Sequence, residues 1–272
     1  MNDTPSYIFD TKLRHANKVR AGNMNESADF LRQEIAERLQ DRLQDVNRPF
    51  AAILDVGGDM MRLSGRNAGF ETVSISDKPL ALEAAHYGLI VSNLAMHWVN
   101  DLPGLLIQLN RALKPDGFLL ASMFGGETLK ELRHALLAAE AEITGGANAR
   151  VIPFADVRAA GALLQRAGFA LPVADTDTLT VTYDHPLKLM LDLRSMGEAN
   201  ALLERSKKFL RRDVLARACE IYQTEYSLEN GRIPATFQIV YLTGWHPHES
   251  QQKPMKRGSA TMRLSDALKQ KL

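Results

Sequence analysis

The segment that most constrains the fold is Ala51–Asp59, which reads AAILDVGGD. Its short apolar run leads into Asp55, a valine and the pair Gly57 and Gly58. Such a run followed by glycines is typical of a buried parallel strand that feeds a tight turn and then a helix. In open α/β sheets, ligands bind at the carboxyl ends of the strands. The turn at Gly57 and Gly58 is therefore the first candidate binding site, with a plain structural turn as the alternative.

Hydrophobic periodicity predicts further elements on both sides of this segment. Strands are predicted at 71–76, 87–94, 118–124, 173–183 and 236–243, and helices at 28–46, 60–68, 102–113, 127–143, 156–167, 186–196 and 206–226. Strands alternate with helices in the first half, and the late strands close the sheet. This order predicts an α/β fold with a doubly wound, largely parallel sheet and added C-terminal helices.

Composition excludes several classes of protein. The 33 basic and 32 acidic residues give a net charge of +1, so bulk charge indicates neither nucleic acid nor an anionic membrane as partner. The single Cys219 excludes an internal disulfide and a cysteine-based zinc site. No apolar run approaches the roughly 18 residues that span a bilayer, and the first ten residues resemble no secretion or transit signal. We expect a cytoplasmic protein without a transmembrane segment.

Two segments rich in basic residues leave alternatives open. Tyr7–Arg20 is either a solvated arm or a lid that meets an acidic partner. Residues 246–272 form a polar, basic tail, which is either a solvated end or a contact to a partner subunit or a membrane surface.

Two clusters contain chemically active side chains. His97 and Trp98 follow the predicted strand at 87–94, where His97 is a candidate catalytic base and a capped turn is the alternative. His246, His248 and Glu249 offer two imidazoles and a carboxylate, the set that non-haem iron prefers. Because their spacing makes convergence awkward, we predict a loop there and no metal site.

Four further motifs now complete a resemblance. They are LDVGG at 54–58, VSNLAMHW at 91–98, LKPDG at 113–117 and LLQRAGF at 163–169. In this order they resemble the class I S-adenosylmethionine (SAM) dependent methyltransferases. Nearly the whole chain resembles one subfamily, the complex I assembly factors that are arginine hydroxylases. Its long specific stretches here are HWVNDLPG at 97–104, MFGGETLKELR at 123–133, DLRSMGEAN at 192–200 and PATFQIVYLTGW at 234–245. The malonyl-carrier-protein O-methyltransferases are similar mainly in the N-terminal half.

The resemblance implies a set of cofactor-binding residues. Asp55, Gly57 and Gly58 match the glycine-rich motif that lies against the methionine part of SAM. Ser76 and Asp77 match the strand end whose acid borders the nucleoside. The remaining matches line the methyl-donor pocket or lie just beyond it: Asn93, Leu94, His97 and Trp98.

The sequence departs from the family at two points. The second and third glycines of the family motif are replaced by Asp59 and Met61. The 36 residues from Ala51 to Tyr87 are too few for three strand–helix units. We therefore expect a shortened sheet in this region and a SAM site that lacks half of its nucleoside-binding part.

The resemblance implies three parts: an N-terminal arm and helix at 1–48, a Rossmann-like domain at 49–245 with a helical insertion at about 186–226, and the tail at 246–272. Three functions stay open. The chain modifies or chaperones a protein subunit of a respiratory complex, methylates a carrier-protein carboxylate or small molecule, or is a cofactor-free scaffold. None of them requires nucleic acid.

Overall fold

The computed structural model describes residues 7–24, 29–58, 60, 70–75, 78–252 and 258, and its centre is a mixed six-stranded sheet. The strands are β1 (Ile53–Val56), β2 (Phe70–Val73), β3 (Tyr87–Ser92), β4 (Leu113–Phe124), β5 (Ala170–Tyr183) and β6 (Ile233–Trp245). Their order across the sheet is β2-β1-β3-β4-β6-β5. The first four strands are parallel, while β6 is antiparallel to both β4 and β5.

Helices cover both faces of the sheet. They are α1 (Thr11–Gly22), α2 (Phe30–Gln44), α3 (Leu102–Ala112), α4 (Lys130–Thr144), α5 (Val157–Arg166), α6 (Pro186–Ser195) and α7 (Arg212–Tyr226). Successive residues of β3 face the two helix layers in turn. Leu89 and Val91 pack in the hydrophobic cluster with α2, α4, α6 and α7, whereas Ile90 packs in the cluster with α3 and α5. Side chains alternate between the faces of a strand, so each strand serves both cores. The predicted doubly wound α/β fold is confirmed.

The shortened region also agrees with the sequence prediction. β2 pairs with β1 and lies at the edge of the sheet. The described residues between it and β3, 74–75 and 78–86, contain no strand. In the described part of this region the sheet therefore ends at β2, with no strand beyond it.

Several predicted boundaries differ from the structure. The LKPDG motif at 113–117 lies within β4, where Tyr87 pairs with Leu113 and the register shifts before Phe118. The helix predicted from residue 127 begins at Lys130, because residues 126–129 form a turn in which Leu129 has a φ of 56°. The helix predicted from 206 begins at Arg212. The helix predicted at 60–68 falls outside the described residues, apart from Met60.

The N-terminal segment is a packed helix rather than a solvated arm. Asp10 begins α1 by accepting a hydrogen bond from the backbone N–H of Leu13 at 3.0 Å. The side chains of Arg14 and Asn17 are buried, and α1 contacts α6. The polar composition of this segment hid its burial, since the buried positions of α1 are polar and are satisfied by partners far along the chain.

Within the described part of the chain, no helix is both long and apolar enough to cross a bilayer.

Candidate functional site

The turn after β1 has the geometry that the glycine pair predicts. Gly57 has a φ of +109°, and its N–H donates to the carbonyl of Val73 at 2.9 Å. A Cβ on Gly57 would approach the Cβ of Ala95 to 2.8 Å. Only glycine fits this position without strain, because both the backbone conformation and the space exclude a side chain.

A cavity of about 570 Å³ lies at the carboxyl ends of β1 and β2 and is covered by α1. Its lining comes from α1 (Thr11, Lys12, Arg14, His15, Lys18), from the strand ends (Gly57, Ser74, Ile75, Lys78) and from the segment after β3 (Ala95, Trp98, Val99, Asn100). We call it the strand-end cavity. Its size is within the range of ligand pockets, and its place in the fold is where α/β sheets bind ligands.

The strand-end cavity fits the methionine end of SAM. Gly57 leaves backbone at the cavity wall, and Lys12 and His15 are exposed cationic or ionisable groups that can meet a carboxylate. Ser76 and Asp77, the residues expected to border the nucleoside, fall outside the described residues.

Three predicted cofactor residues lie in the core. Asp55 and Asn93 are fully buried, and Leu94 packs in the hydrophobic cluster of α2. The Asn93 amide donates to the carbonyl of Arg32 at 2.9 Å and accepts from the hydroxyl of Ser122 at 3.1 Å. None of the three lines the strand-end cavity, so cofactor contacts from them stay a prediction. Gly57 and Trp98, by contrast, both line it.

Trp98 and His97 lie in a 3₁₀ turn, Met96–Trp98, and both bind one carboxylate. The indole N–H of Trp98 donates to Oε2 of Glu198 at 2.8 Å, and Nε2 of His97 lies 3.1 Å from the same oxygen. Glu198 comes from the loop after α6, about 100 positions along the chain. The carboxylate therefore fixes the orientation of both rings.

The other oxygen of Glu198 receives two arginines. Nη2 of Arg14 lies 3.1 Å from Oε1, and Nη2 of Arg32 lies 2.9 Å from it. The two guanidinium groups also donate to the carbonyls of Gly197 and Met196, and Arg14 lies over the Trp98 ring at 4.3 Å. We call these five residues, Arg14, Arg32, His97, Trp98 and Glu198, the Glu198 cluster.

Charge and burial set the protonation states of the cluster. Burial raises the pKa of Glu198, but Arg14, His97 and Arg32 outweigh it and hold this pKa well below its usual value. Burial, together with the positive charges of Arg14 and Arg32, lowers the pKa of His97 despite the opposing effect of Glu198. At neutral pH the carboxylate is therefore charged and the imidazole neutral, with Nε2–H as the donor. Nδ1 of His97 is then an unprotonated acceptor, and it has no hydrogen-bond partner among the described residues.

A second cavity of about 530 Å³ is also lined by Trp98. Its wall is mainly apolar and includes Phe124, Leu132, Phe154, Leu193 and Phe237, with Arg20, Arg150 and Arg194 among its charged residues. We call it the apolar cavity. Trp98 lines both cavities, and Glu198 lines the apolar one. Arg14, Trp98 and Glu198 of the Glu198 cluster thus form the partition between them, whereas Arg32 and His97 line neither cavity.

The alternative metal site does not assemble. Nδ1 of His246 lies 2.8 Å from the Asn110 amide oxygen, whereas His248 bonds to Ser250. Among the described residues there is no group of three or more His, Cys, Asp or Glu that could hold a metal ion.

Sequence reasoning missed three members of the Glu198 cluster. The polar composition of the segment around Arg14 predicted a solvated arm or a lid, not a buried side chain. Arg32 belongs to the predicted helix at 28–46, where no feature of the sequence assigned it a role. Glu198 belongs to the stretch DLRSMGEAN, which carried the subfamily resemblance without indicating a role for the acid.

Known proteins resemble the chain over most of its length. Residues 27–172 match a methyltransferase domain family. The arginine-hydroxylase NDUFAF5 of Danio rerio, a mitochondrial protein, is 39% identical over 96% of this chain and 90% of its own length. The malonyl-[acyl-carrier protein] O-methyltransferase of Halorhodospira halophila is 33% identical over 79% of this chain and 81% of its own length. A solved structure of a candidate methyltransferase from Bacillus halodurans has a TM-score of 0.50 at 13% identity, over 77% of this chain and 99% of that one, and shows the fold alone.

Proposed function

We propose that this chain acts on a protein subunit and binds SAM. It belongs to the methyltransferase-domain family and to the branch that contains the arginine hydroxylase NDUFAF5. The similarity to NDUFAF5 carries the proposal. It covers 96% of the chain, whereas the domain match ends at residue 172. It therefore extends over the C-terminal part, which contains Glu198. The name of these relatives points to an arginine side chain as the target, and the resemblance of the sequence points to a respiratory-complex subunit.

The strand-end cavity supports the cofactor half of the proposal. Gly57 and Gly58 would lie against the methionine part, and a cation of α1 would meet its carboxylate. When bound, SAM supplies a methyl group on a positively charged sulfur. Trp98 closes the cavity on the side that faces the apolar cavity.

The apolar cavity supports the substrate half. Trp98 borders both cavities, so a group bound there would lie across this ring from the strand-end cavity. Nδ1 of His97 is unprotonated, which is the state that a general base requires, but the ring is buried and lines neither cavity, so a catalytic role for His97 stays a prediction. The carboxylate of Glu198 positions the rings of His97 and Trp98.

Two measurements test the proposal. Titration calorimetry with SAM and with S-adenosylhomocysteine should give dissociation constants in the micromolar range or below, and flat traces for both would remove the cofactor. Mass spectrometry of respiratory-complex subunits, from cells with and without the gene, should show one arginine modification that depends on the chain. Unchanged subunits would refute the protein-modifying role.

A methyltransferase acting on a carrier protein is the second candidate, supported by the 33% identity to the Halorhodospira halophila enzyme. Incubation with a malonylated carrier protein and SAM distinguishes the two. If the chain forms the methyl ester with multiple turnovers, this second function replaces the first proposal.

A further inference from the structure

The loop before α7 exposes an aromatic side chain among cations. Phe209 is 100% exposed, and Lys207, Lys208, Arg211 and Arg212 on both sides of it are exposed as well. Single exposed apolar side chains are common on protein surfaces, whereas a patch of several of them marks an interaction surface. We propose that residues 207–212 and the adjoining face of α6 dock the protein on an anionic lipid bilayer.

The charge of this loop is local. The whole chain has a net charge of only +1, yet residues 207–212 contain four cations and no acid. Arg211 pairs with Asp213. Lys207, Lys208 and Arg212 have no ion-pair partner in the part of the chain that the structure describes. Cations near a bilayer surface are attracted by anionic headgroups, while an aromatic ring among them inserts at the interface.

One face of α6 extends the apolar part of the surface. Leu187 and Arg194 each lie three or four residues from both Met190 and Leu191, so the four side chains share a face. Leu187 is 42% exposed and Leu191 is 56% exposed. Met190 and Arg194 line the apolar cavity together with Leu210, the residue after Phe209, so the helix face and the loop adjoin.

The positive charge of this surface favours an anionic bilayer as its partner over a second copy of the chain. A symmetric dimer through this surface would bring two sets of unpaired lysines and arginines together, and like charges in contact are unfavourable. An anionic bilayer neutralises the cations and takes up Phe209, Leu187 and Leu191 at the same time. The surface is distinct from the basic tail, whose residues 253–257 and 259–272 lie outside the described residues.

Vesicle cosedimentation tests the proposal on the full chain. We expect binding to vesicles of phosphatidylcholine with phosphatidylglycerol, none to phosphatidylcholine alone, and release by salt. K207Q/K208Q should weaken partitioning by more than about tenfold, at about fivefold for each cation. Phe209→Ser should also weaken it, while the matched variants Arg166→Gln and Leu228→Ser, which alter an exposed cation and an exposed leucine outside the surface, should bind as the parent does.

A reporter in the loop gives a second measurement. Phe209→Trp should show a blue-shifted emission with anionic vesicles and quenching by brominated lipid, after subtraction of the signal of Trp98 and Trp245. Because the Phe209 side chain is fully exposed, these variants should keep the parent melting temperature. Equal binding to both vesicle types, parent-like binding of the loop variants, or emission from Phe209→Trp that stays typical of a solvent-exposed indole would each overturn the proposal. Capture of an acidic protein by a chain that leaves anionic vesicles unbound would overturn it as well.

Discussion

Arg14 and Glu198 lie 184 positions apart in the chain, yet Nη2 of the first is 3.1 Å from Oε1 of the second. Their side chains are only 8% and 7% exposed. Arg32 reaches the same carboxylate oxygen and also pairs with Asp29 at 3.3 Å, so the two buried guanidinium groups share the charge of Glu198. This contact holds α1 over the strand-end cavity and places the partition between the two cavities.

We predict that Glu198→Gln destabilises the protein by about 3–5 kcal/mol, because breaking a buried ion pair leaves uncompensated charges behind. Urea or guanidinium unfolding measures the loss. The matched control is Glu142→Gln, which removes an exposed partner of Arg217 and should cost at most about 1 kcal/mol. Equal losses in the two variants would mean that the cluster is not a buried ion-pair network.

Arg14→Gln should loosen α1 itself. The guanidinium binds Glu198 and the Gly197 carbonyl and lies over Trp98, so its loss removes contacts that tie the helix to these residues. Hydrogen exchange should show a protection loss of more than about tenfold in the α1 amides, since local opening then costs less free energy. Lys12→Gln, at an exposed position of the same helix, is the control and should leave the protection unchanged. Parent-like exchange in Arg14→Gln contradicts the role of this contact.

The sequence predicted the sheet well and the partition poorly, for a physical reason. Strands such as Tyr87–Ser92 are apolar runs whose burial is readable locally, and the glycine pair at 57–58 marks its turn by backbone conformation alone. The Glu198 cluster consists of polar side chains that are buried because distant segments meet. Local periodicity contains no information about which acid will neutralise Arg14 and Arg32.

Stability should fall on acidification in two steps. The folded-state pKa of His97 lies below its usual 6.5 and that of Glu198 lies well below 4.5, so the unfolded chain binds protons first in both cases. Each group therefore stabilises the fold above its unfolded-state pKa, and this contribution is lost as the pH falls. Unfolding free energies measured at a series of pH values should decline below about 6.5 and more steeply below about 4.5. His97→Gln should abolish the first decline, and an unchanged slope in that variant would falsify the assignment.

Gly57→Ala should reduce SAM binding by more than about tenfold, because the new Cβ requires a strained backbone and a shift of Ala95 at the cavity wall. Calorimetry on folded protein measures the effect. Gly145→Ala is the matched control: its φ is +72°, but nothing lies within 4 Å of the added Cβ. It should lower the melting temperature and leave SAM affinity intact. Unaltered affinity in Gly57→Ala would show that the ligand lies elsewhere.

The span between Arg14 and Glu198 also sets when the site can form during synthesis. On the ribosome α1 is synthesised first, and it can contact the loop at 196–199 only after most of the chain has been made. A fragment that ends at residue 172, where the methyltransferase domain match ends, contains the turn at Gly57 and both rings of His97 and Trp98 but no carboxylate to orient them. The isolated domain therefore lacks the acid that orients the two rings, and the nascent chain acquires its partition only when its C-terminal third arrives.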